Sequence, residues 1–164
     1  MINDYPIYKY TNDDIVQHLA RFVKLDNPDS YPFDNFHAHE YNEILFFFNG
    51  GGHHSINFHT HKIVDNSIHL LAAHNIHWVE RSMYSTGFAI VYKDQFLQKL
   101  QMVNPSFDYT DFFANSRILN LNQNEIKSFE SILNEINDNQ VHAAYMLQVI
   151  GTFITKVAHL KQIG

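Results

Sequence analysis

Two histidines and one glutamate, His37, His39 and Glu43, have the residue types and the spacing that most directly indicate chemistry in this sequence. Side chains alternate between the two faces of a β-strand, so these odd-numbered residues would all point to one side if the segment is a strand. Neutral imidazoles together with a carboxylate bind Fe(II), Mn(II), Ni(II) or Zn(II) and leave positions open for water or substrate. The segment therefore predicts either a divalent-metal site or, without a metal, a patch of hydrogen-bonded polar side chains.

Histidine is the unusual residue of the composition, with 12 copies among 164 residues. Most of them lie between His37 and His77, and a histidine can be a metal ligand, a titrating group or a polar strand residue. His77 follows a turn-like segment, 72–76, and enters a predicted strand. His77 is therefore a further histidine that a strand would position.

A second set of residues is predicted to contact a small molecule. Tyr41 shares the strand parity of the two histidines and the glutamate, while His54 and Ile56 alternate on the following strand. His77 and Trp78 lie directly after the turn-like segment 72–76. A pocket of aromatic side chains with a few polar groups suits a sugar or another small metabolite. The alternative for each of these residues is a place in the core or on the surface.

Composition limits the classes of protein to consider. The chain is 45% hydrophobic with a net charge of −6 and no cysteine, which suits one domain, or one domain with a helical extension, without disulfides. Lysine and arginine form no cluster, which argues against nucleic-acid binding by this segment itself. Residues 1–24 contain no signal-peptide core, and no apolar run has the length of a membrane span. We expect a soluble cytoplasmic protein that does not contact the membrane.

The segment 36–92 has the pattern of an antiparallel β-structure. Short apolar runs are separated by turn residues at regular intervals, which is typical of a sandwich or a barrel. His59 and His61 flank Thr60 in one predicted turn and are expected to be solvated. The predicted strands are 36–48, 53–58, 61–64, 67–71, 76–80 and 86–92.

Helical patterns surround this β-segment. Thr11 is a possible N-cap of a helix over 11–24, and a short helix is predicted over 94–102. Asn122 and Glu125 resemble a capping box that opens a third helix. The stretch 107–120 is aromatic and remains ambiguous between helix and strand.

A last predicted helix carries an apolar stripe at helical spacing, which has two interpretations. The stripe either packs on the β-domain or is buried against a partner chain, and we favour dimerisation. Its residues are Tyr145, Met146, Val149, Ile150, Phe153, Val157 and Leu160.

The pattern His37-x-His39-x3-Glu43-x6-Gly50, followed by His77, resembles the two-part signature of the cupin superfamily. The first part matches in spacing throughout. In the second part Ala72 and His74 stand where the family has proline and glycine, and Arg81 stands where it has asparagine. The resemblance implies a mainly β fold, the cupin-type double-stranded β-helix or jelly-roll barrel, in which the four ligand positions converge.

The stretch 36–97 is also similar to the N-terminal regulatory domain of AraC-family transcriptional regulators. This resemblance implies that the barrel senses a small molecule, that the trailing helices form a homodimer, and that a separate domain with two helix-turn-helix units binds DNA. Many members keep the histidines without using a metal. The motifs that carry the resemblance are Gly50-x-Gly52-x-His54-x-Ile56, Ile76-His77 and Gly87-Phe88-x-Ile90-x-Tyr92-x3-Phe96-Leu97.

The resulting hypothesis is the effector-sensing and dimerisation domain of an AraC-type DNA-binding transcription regulator. Residues 1–103 would form the cupin-like sensor barrel with its N-terminal helix, and 104–164 a linker and helical dimerisation segment. DNA would be bound through a helix-turn-helix domain that this chain lacks. We expect no enzymatic activity and no cofactor. The alternatives are a small metal-dependent cupin enzyme, such as a dioxygenase or isomerase, and a structural cupin whose histidines fill the barrel.

Overall fold

The computed structural model describes residues 5–9, 19–26, 35–138 and 143–160. In this part of the chain, strands dominate the first half and helices the second. The strands are β1 (Ile7–Tyr8), β2 (Ala20–Leu25), β3 (Ala38–His39), β4 (Asn42–Asn49), β5 (Gly52–Ile56), β6 (His59–Lys62), β7 (Ser67–Leu71), β8 (His77–Arg81), β9 (Thr86–Tyr92) and β10 (Arg117–Asn120). The helices are α1 (Asp94–Val103), α2 (Tyr109–Phe113), α3 (Gln123–Asp138) and α4 (Ala143–His159).

A five-stranded antiparallel sheet with the order β10-β7-β4-β9-β2 forms one wall of the molecule. The central strand β4 pairs with β7 on one side and β9 on the other, so that Leu45 lies opposite both His69 and Ala89. Every second residue of β4 therefore faces the opposite wall. The alternation of strand side chains places Glu43, Leu45 and Phe47 on this inner face.

A three-stranded antiparallel sheet with the order β6-β5-β8 forms the other wall. His37, just before β3, forms an isolated bridge to the edge strand β8, where His37 and His77 exchange backbone hydrogen bonds of 2.9 and 2.8 Å. Strand β3 itself pairs in parallel with β1. The apolar half of the interior holds residues from both sheets, including Val79 from β8 and Leu45 and Phe47 from β4. Packing two antiparallel sheets face to face in this way confirms the predicted mainly β barrel with helices after it.

The outer face of the five-stranded sheet is buried by the helices. Phe46 of β4 and Phe88 of β9 stack on this face, and Phe153 of α4 packs on both with ring centroids 6.2 and 5.5 Å away. Ile150, Phe153 and Val157 are fully buried. The apolar stripe of α4 therefore packs on the β-domain, which is the first of its two interpretations.

The predicted N-terminal helix over 11–24 is wrong where the structure describes it. Residues 11–18 lie outside the described part, and 20–25 form β2, which pairs with β9 from Ala20↔Tyr92 to Leu25↔Gly87. Phe22 contacts the core beneath the helices, while Leu25 belongs to the barrel interior. An edge strand with apolar residues on both faces gives a pattern that resembles helical spacing.

One further local prediction differs from the structure. His59 and Thr60 are not in a turn but in β6, and the hairpin turn lies at Asn57 and Phe58, whose φ angles are +47° and +67°. Positive φ at both central residues is typical of a two-residue hairpin loop, although phenylalanine rarely adopts it. His59 and His61 are exposed, as predicted.

The ambiguous stretch 107–120 contains both a helix and a strand. It forms the short helix α2 and then β10, which pairs with β7 as an edge strand of the five-stranded sheet. The segment predicted to be a linker thus contributes directly to the barrel wall. No helix in the described ranges is long and apolar enough to cross a membrane.

Candidate functional site

One half of the barrel interior is polar and fully enclosed. Strand parity brings side chains from both walls to this half, where each is at most 1% exposed. Five of the six are imidazoles and the sixth is a carboxylate. They are His37, His39, Glu43, His54, His69 and His77.

Three of the four predicted metal ligands bring their donor atoms together in this polar half, and His37 lies beside them outside that group. Donor atoms of His39, Glu43 and His77 are all within 4.8 Å of one another. The ring of His37 lies 4.2 Å from the ring of His77 between centroids and 6.1 Å from that of His39. The predicted continuous strand 36–48 is interrupted at Glu40, yet the parity that placed these side chains on one face is kept.

Hydrogen bonds to backbone carbonyls set the tautomers of two of these histidines. Nδ1 of His37 lies 2.9 Å from the carbonyl oxygen of Asn35, and Nδ1 of His39 lies 2.6 Å from that of Tyr41. A carbonyl oxygen accepts only, so each Nδ1 carries the proton. In the neutral ring the lone pair is then on Nε2, the atom that can bind a metal.

The buried polar atoms also fit a metal ion. Within the described residues, Nε2 of His39 and Nε2 of His77 are buried and accept or donate no hydrogen bond. Buried polar atoms without a partner are uncommon because leaving them unsatisfied costs free energy. A divalent cation held by Glu43 and the imidazoles would satisfy both atoms with the donor set typical of Fe, Mn, Ni and Zn.

Burial favours the neutral form of four histidines of this cluster, His37, His54, His69 and His77. Desolvation lowers the pKa of His77 and of His54 well below the ordinary value, and it lowers the pKa of His69 to about 3. It also lowers the pKa of His37, against the opposing effect of the hydrogen bond to Asn35. Neutral imidazole is the state that a metal ligand requires.

Four of the five residues predicted to contact a small molecule lie around the same interior. The ring of Tyr41 stacks on that of His39 at 4.1 Å with an interplanar angle of 6°. Ile56 lies opposite His77 across the β5–β8 pair, and His54 shares their inner face.

Trp78 lies apart from the other four. It follows His77 in β8, so its side chain is on the outer face of the sheet, where it lies opposite Ser55 and contacts Phe36 at 5.6 Å between ring centroids. The alternation of side chains along β8 separates Trp78 from the barrel interior.

His69 is the member of the cluster that the sequence analysis missed. It lies on β7 opposite Leu45, and its Nδ1 is 2.8 Å from Nδ1 of His54. The sequence contains a pattern that could have identified His69. Ile68 and Leu70 alternate with Ser67 and His69 in a correctly predicted strand. That alternation places the polar residues on the barrel face and the apolar ones under the helices.

An open cleft of about 1050 Å³ adjoins the barrel between the β5–β6 hairpin and β10. Its lining includes two cationic residues, Lys62 and Arg117, the exposed His59 and His61, and no aspartate or glutamate. Ile56 lines both this cleft and the inner face of β5. The cleft is therefore a second space next to the histidine cluster that suits a small polar molecule.

Comparisons with protein-family models and with curated proteins give no match. Among solved structures, an apo variant of ToxT from Vibrio cholerae matches with a TM-score of 0.52 and 13% identity, over 87% of this chain and 56% of that chain. ToxT from the same organism bound to an unsaturated fatty acid matches with a TM-score of 0.47 and 15% identity, over 82% of this chain and 50% of that chain. A cupin protein from Bacteroides fragilis matches with a TM-score of 0.33 and 19% identity, over 45% and 62% of the two chains.

This chain shares the fold of the ToxT N-terminal domain. The likeness to ToxT, an AraC-family regulator, confirms at the level of the fold the resemblance predicted from the sequence. The chain spans just over half the length of ToxT.

Proposed function

We propose that this chain is the small-molecule-sensing domain of an AraC-type transcription regulator. The observation that carries the proposal is the fold shared with ToxT over most of this chain and about half of the other. An enclosed polar cluster beside an open cleft gives such a domain a place to bind its effector. DNA binding would belong to a separate helix-turn-helix domain that follows the barrel and helices.

The effector is proposed to bind at the cleft between the β5–β6 hairpin and β10. Asparagine, threonine and histidine side chains in its lining suit a sugar or another small polar metabolite. Lys62 and Arg117 favour a molecule with a carboxylate or phosphate, because neither cation forms an ion pair with any described residue. A sugar acid combines both features.

A ligand screen with a matched pair of variants tests this assignment. Sugars, sugar acids and sugar phosphates are each added while the unfolding temperature is measured, and hits are titrated by calorimetry. We expect saturable binding that Arg117→Ala weakens and that Arg21→Ala, an exposed change on β2, leaves unaltered. Equal affinities of both variants would place the effector elsewhere.

Sequencing the gene beyond the codon for Gly164 tests the regulator itself. We expect two helix-turn-helix units in the reading frame that follows. A stop codon at that point would contradict the proposal of a regulator domain and favour a free-standing cupin.

The histidine cluster is further proposed to hold one divalent metal ion through His37, His39, Glu43 and His77. Support comes from the Nδ1–H tautomers of His37 and His39 and from the buried Nε2 atoms of His39 and His77. The metal would supply a fixed positive charge and an open coordination position for an effector or a water molecule. Elemental analysis of protein purified without a histidine tag tests this, with a stoichiometric metal expected.

The same donor set favours a second candidate function, a small metal-dependent cupin enzyme such as a dioxygenase or isomerase. The neutral imidazoles and the carboxylate leave room for a substrate next to the metal. An enzyme would turn over substrate with the isolated chain, whereas a sensor would bind its effector unchanged. Mass spectrometry of each ligand after incubation with metal-loaded protein separates the two functions.

Homodimerisation is proposed through a surface other than the main apolar stripe of α4. That stripe is buried against the barrel, while Met102 and Val103 at the end of α1 are 83% and 85% exposed. Val103 lines an apolar groove between α1 and α4. Sedimentation equilibrium at micromolar concentration tests this, and a monomeric mass would contradict it.

A further inference from the structure

A chain of hydrogen bonds crosses the barrel interior from the carbonyl of Val64 to His77. Oγ of Ser67 lies 2.8 Å from the carbonyl oxygen of Val64 and 3.2 Å from Nε2 of His69. Nδ1 of His69 lies 2.8 Å from Nδ1 of His54, and Nε2 of His54 lies 3.1 Å from Nδ1 of His77. All four side chains are fully buried.

The first two bonds give the chain a direction. The carbonyl oxygen of Val64 accepts only, so the hydroxyl of Ser67 uses its single proton in this bond. Oγ of Ser67 must then act as the acceptor toward His69. His69 therefore carries its proton on Nε2, and its Nδ1 holds the lone pair.

Each following bond has its direction set by the one before. A neutral imidazole has one N–H and one lone pair, so Nδ1–H of His54 donates to Nδ1 of His69. Nε2 of His54 is then an acceptor, and Nδ1–H of His77 donates to it. The proton of His77 is thereby on Nδ1, and its lone pair is on the buried Nε2.

We infer that His69 and His54, anchored by Ser67, are positioning residues that hold His77 in the tautomer competent to bind a metal. This inference rests on the proposed metal site. The reverse direction would place the proton of His77 on Nε2, where it blocks coordination, and would take the hydroxyl proton of Ser67 away from Val64. We call this hydrogen-bonded chain of Ser67, His69, His54 and His77 the relay. The relay thus gives His77 the same tautomer that backbone carbonyls give His37 and His39.

The relay also joins the two walls of the barrel. His69 lies on β7 of the five-stranded sheet, whereas His54 and His77 lie on β5 and β8 of the three-stranded sheet. The imidazoles of His54 and His69 are parallel within 2° at 5.1 Å between centroids. A phenyl ring at position 69 would keep this packing but has no nitrogen that accepts the hydrogen bond from His54. Such a substitution therefore distinguishes a role in setting the tautomer of His77 from a purely structural role.

The tautomers are measured directly by nitrogen-15 NMR of the histidine rings in metal-free protein. We expect the proton on Nδ1 in His54 and His77 and on Nε2 in His69. A proton on Nε2 of His77 in the wild type would overturn the inference.

Variants at position 69 test the dependence of His77 on the relay. His69→Phe keeps an aromatic ring without an acceptor, so His77 should populate both tautomers and its Zn(II) affinity should fall on the order of 10–100-fold. His69→Asn keeps an acceptor near the position of Nδ1 and should retain most of the affinity. His53→Phe, an exposed change on β5, is the matched control. Unchanged tautomer and affinity in His69→Phe would overturn the inference.

One outcome separates the relay from the metal proposal. A wild type with the expected tautomers but no affinity for Zn(II) or Co(II) supports the relay and contradicts the proposed metal site. Should His69→Phe fail to fold, Ser67→Ala replaces it, since losing the anchoring acceptor should release the tautomer of His69 and so of His77. A single fixed tautomer of His77 in Ser67→Ala would count against the relay.

Discussion

Nε2 of His39 and a carboxylate oxygen of Glu43 lie 3.6 Å apart, and both side chains are fully buried. This separation is too long for a strong hydrogen bond. Two metal–ligand bonds of about 2.0–2.2 Å that meet at an angle near 110–120° span about 3.3–3.8 Å, a range that includes this separation. The spacing of these two side chains is therefore compatible with the proposed role of both as ligands of one cation.

Glu43→Gln is expected to remove most of the metal affinity while leaving the shape of the site. The variant keeps one oxygen donor but loses the negative charge that compensates the cation, so we expect a fall on the order of tenfold or more. Calorimetric titration with Zn(II) and elemental analysis measure this. Glu40→Gln is the control, because Glu40 is exposed and forms a surface ion pair with Lys9 at 3.7 Å. Equal losses in both variants would contradict a role for Glu43 as a ligand.

The convergence of His39 and Glu43 could be predicted from strand parity although the predicted strand was too long. The chain bends at Glu40, between β3 and β4, but the residues on either side keep the same inner face. His54 was also found in this way, because it alternates with Ile56 on the following strand. The face on which a strand side chain lies depends on the alternation between neighbouring residues. Errors in the predicted ends of the strand therefore do not change it.

The edge strand β2 could not be predicted, because its partner is distant in the sequence. Phe22 contacts the core beneath the helices and Leu25 the barrel interior, so neither face shows the alternation of a half-exposed strand. Only pairing with β9, which places Ala20 opposite Tyr92, decides between helix and strand. Such long-range contacts override local helix propensity.

Folding stability is expected to fall as the pH is lowered from about 6.5 toward 3, because of His69. Burial lowers the pKa of His69 to about 3, whereas the same group in the unfolded chain titrates near 6.5. Between these values the unfolded state binds a proton that the folded state does not, so stability rises with pH and is lost as the pH falls. One such group contributes on the order of 1 kcal/mol per pH unit.

Urea unfolding of the wild type and of His69→Gln between pH 7.5 and pH 4.5 measures this effect. The variant should lose stability less steeply with decreasing pH, since one titrating group is gone. His53→Gln removes an exposed histidine and should keep the steep dependence of the wild type. The same slope in all three proteins would show that His69 does not contribute.

Phe153→Ala is expected to destabilise the whole chain and not only its helices. Phe153 is fully buried and packs on Phe46, Phe88 and Phe129, so the substitution should lower the free energy of unfolding by about 3–5 kcal/mol. Tyr84→Ala, at a side chain that is 78% exposed, should change it by less than about 0.5 kcal/mol. Far-UV circular dichroism follows the helices, and near-UV circular dichroism follows the aromatic side chains.

The two signals should remain coincident in Phe153→Ala, since the sheet and the helices share one core. Separate transitions, with the barrel retained after the helices unfold, would mean that the C-terminal helices form an independent unit.

The reciprocal cap of α3 provides a test in which two side chains must act together. Asn122 accepts hydrogen bonds from the backbone N–H groups of Asn124 and Glu125 at 2.9 and 3.0 Å, and the carboxylate of Glu125 accepts from the N–H of Asn122 at 2.6 Å. Asn122→Ala should therefore cost about 1 kcal/mol in urea unfolding, whereas Asn122→Ser retains a capping oxygen and should cost much less. Because the two residues cap each other, the double variant Asn122→Ala/Glu125→Ala should lose less than the sum of the single losses. Strict additivity would mean that Asn122 caps the helix alone and that Glu125 stabilises α3 only through its charge near the helix N-terminus.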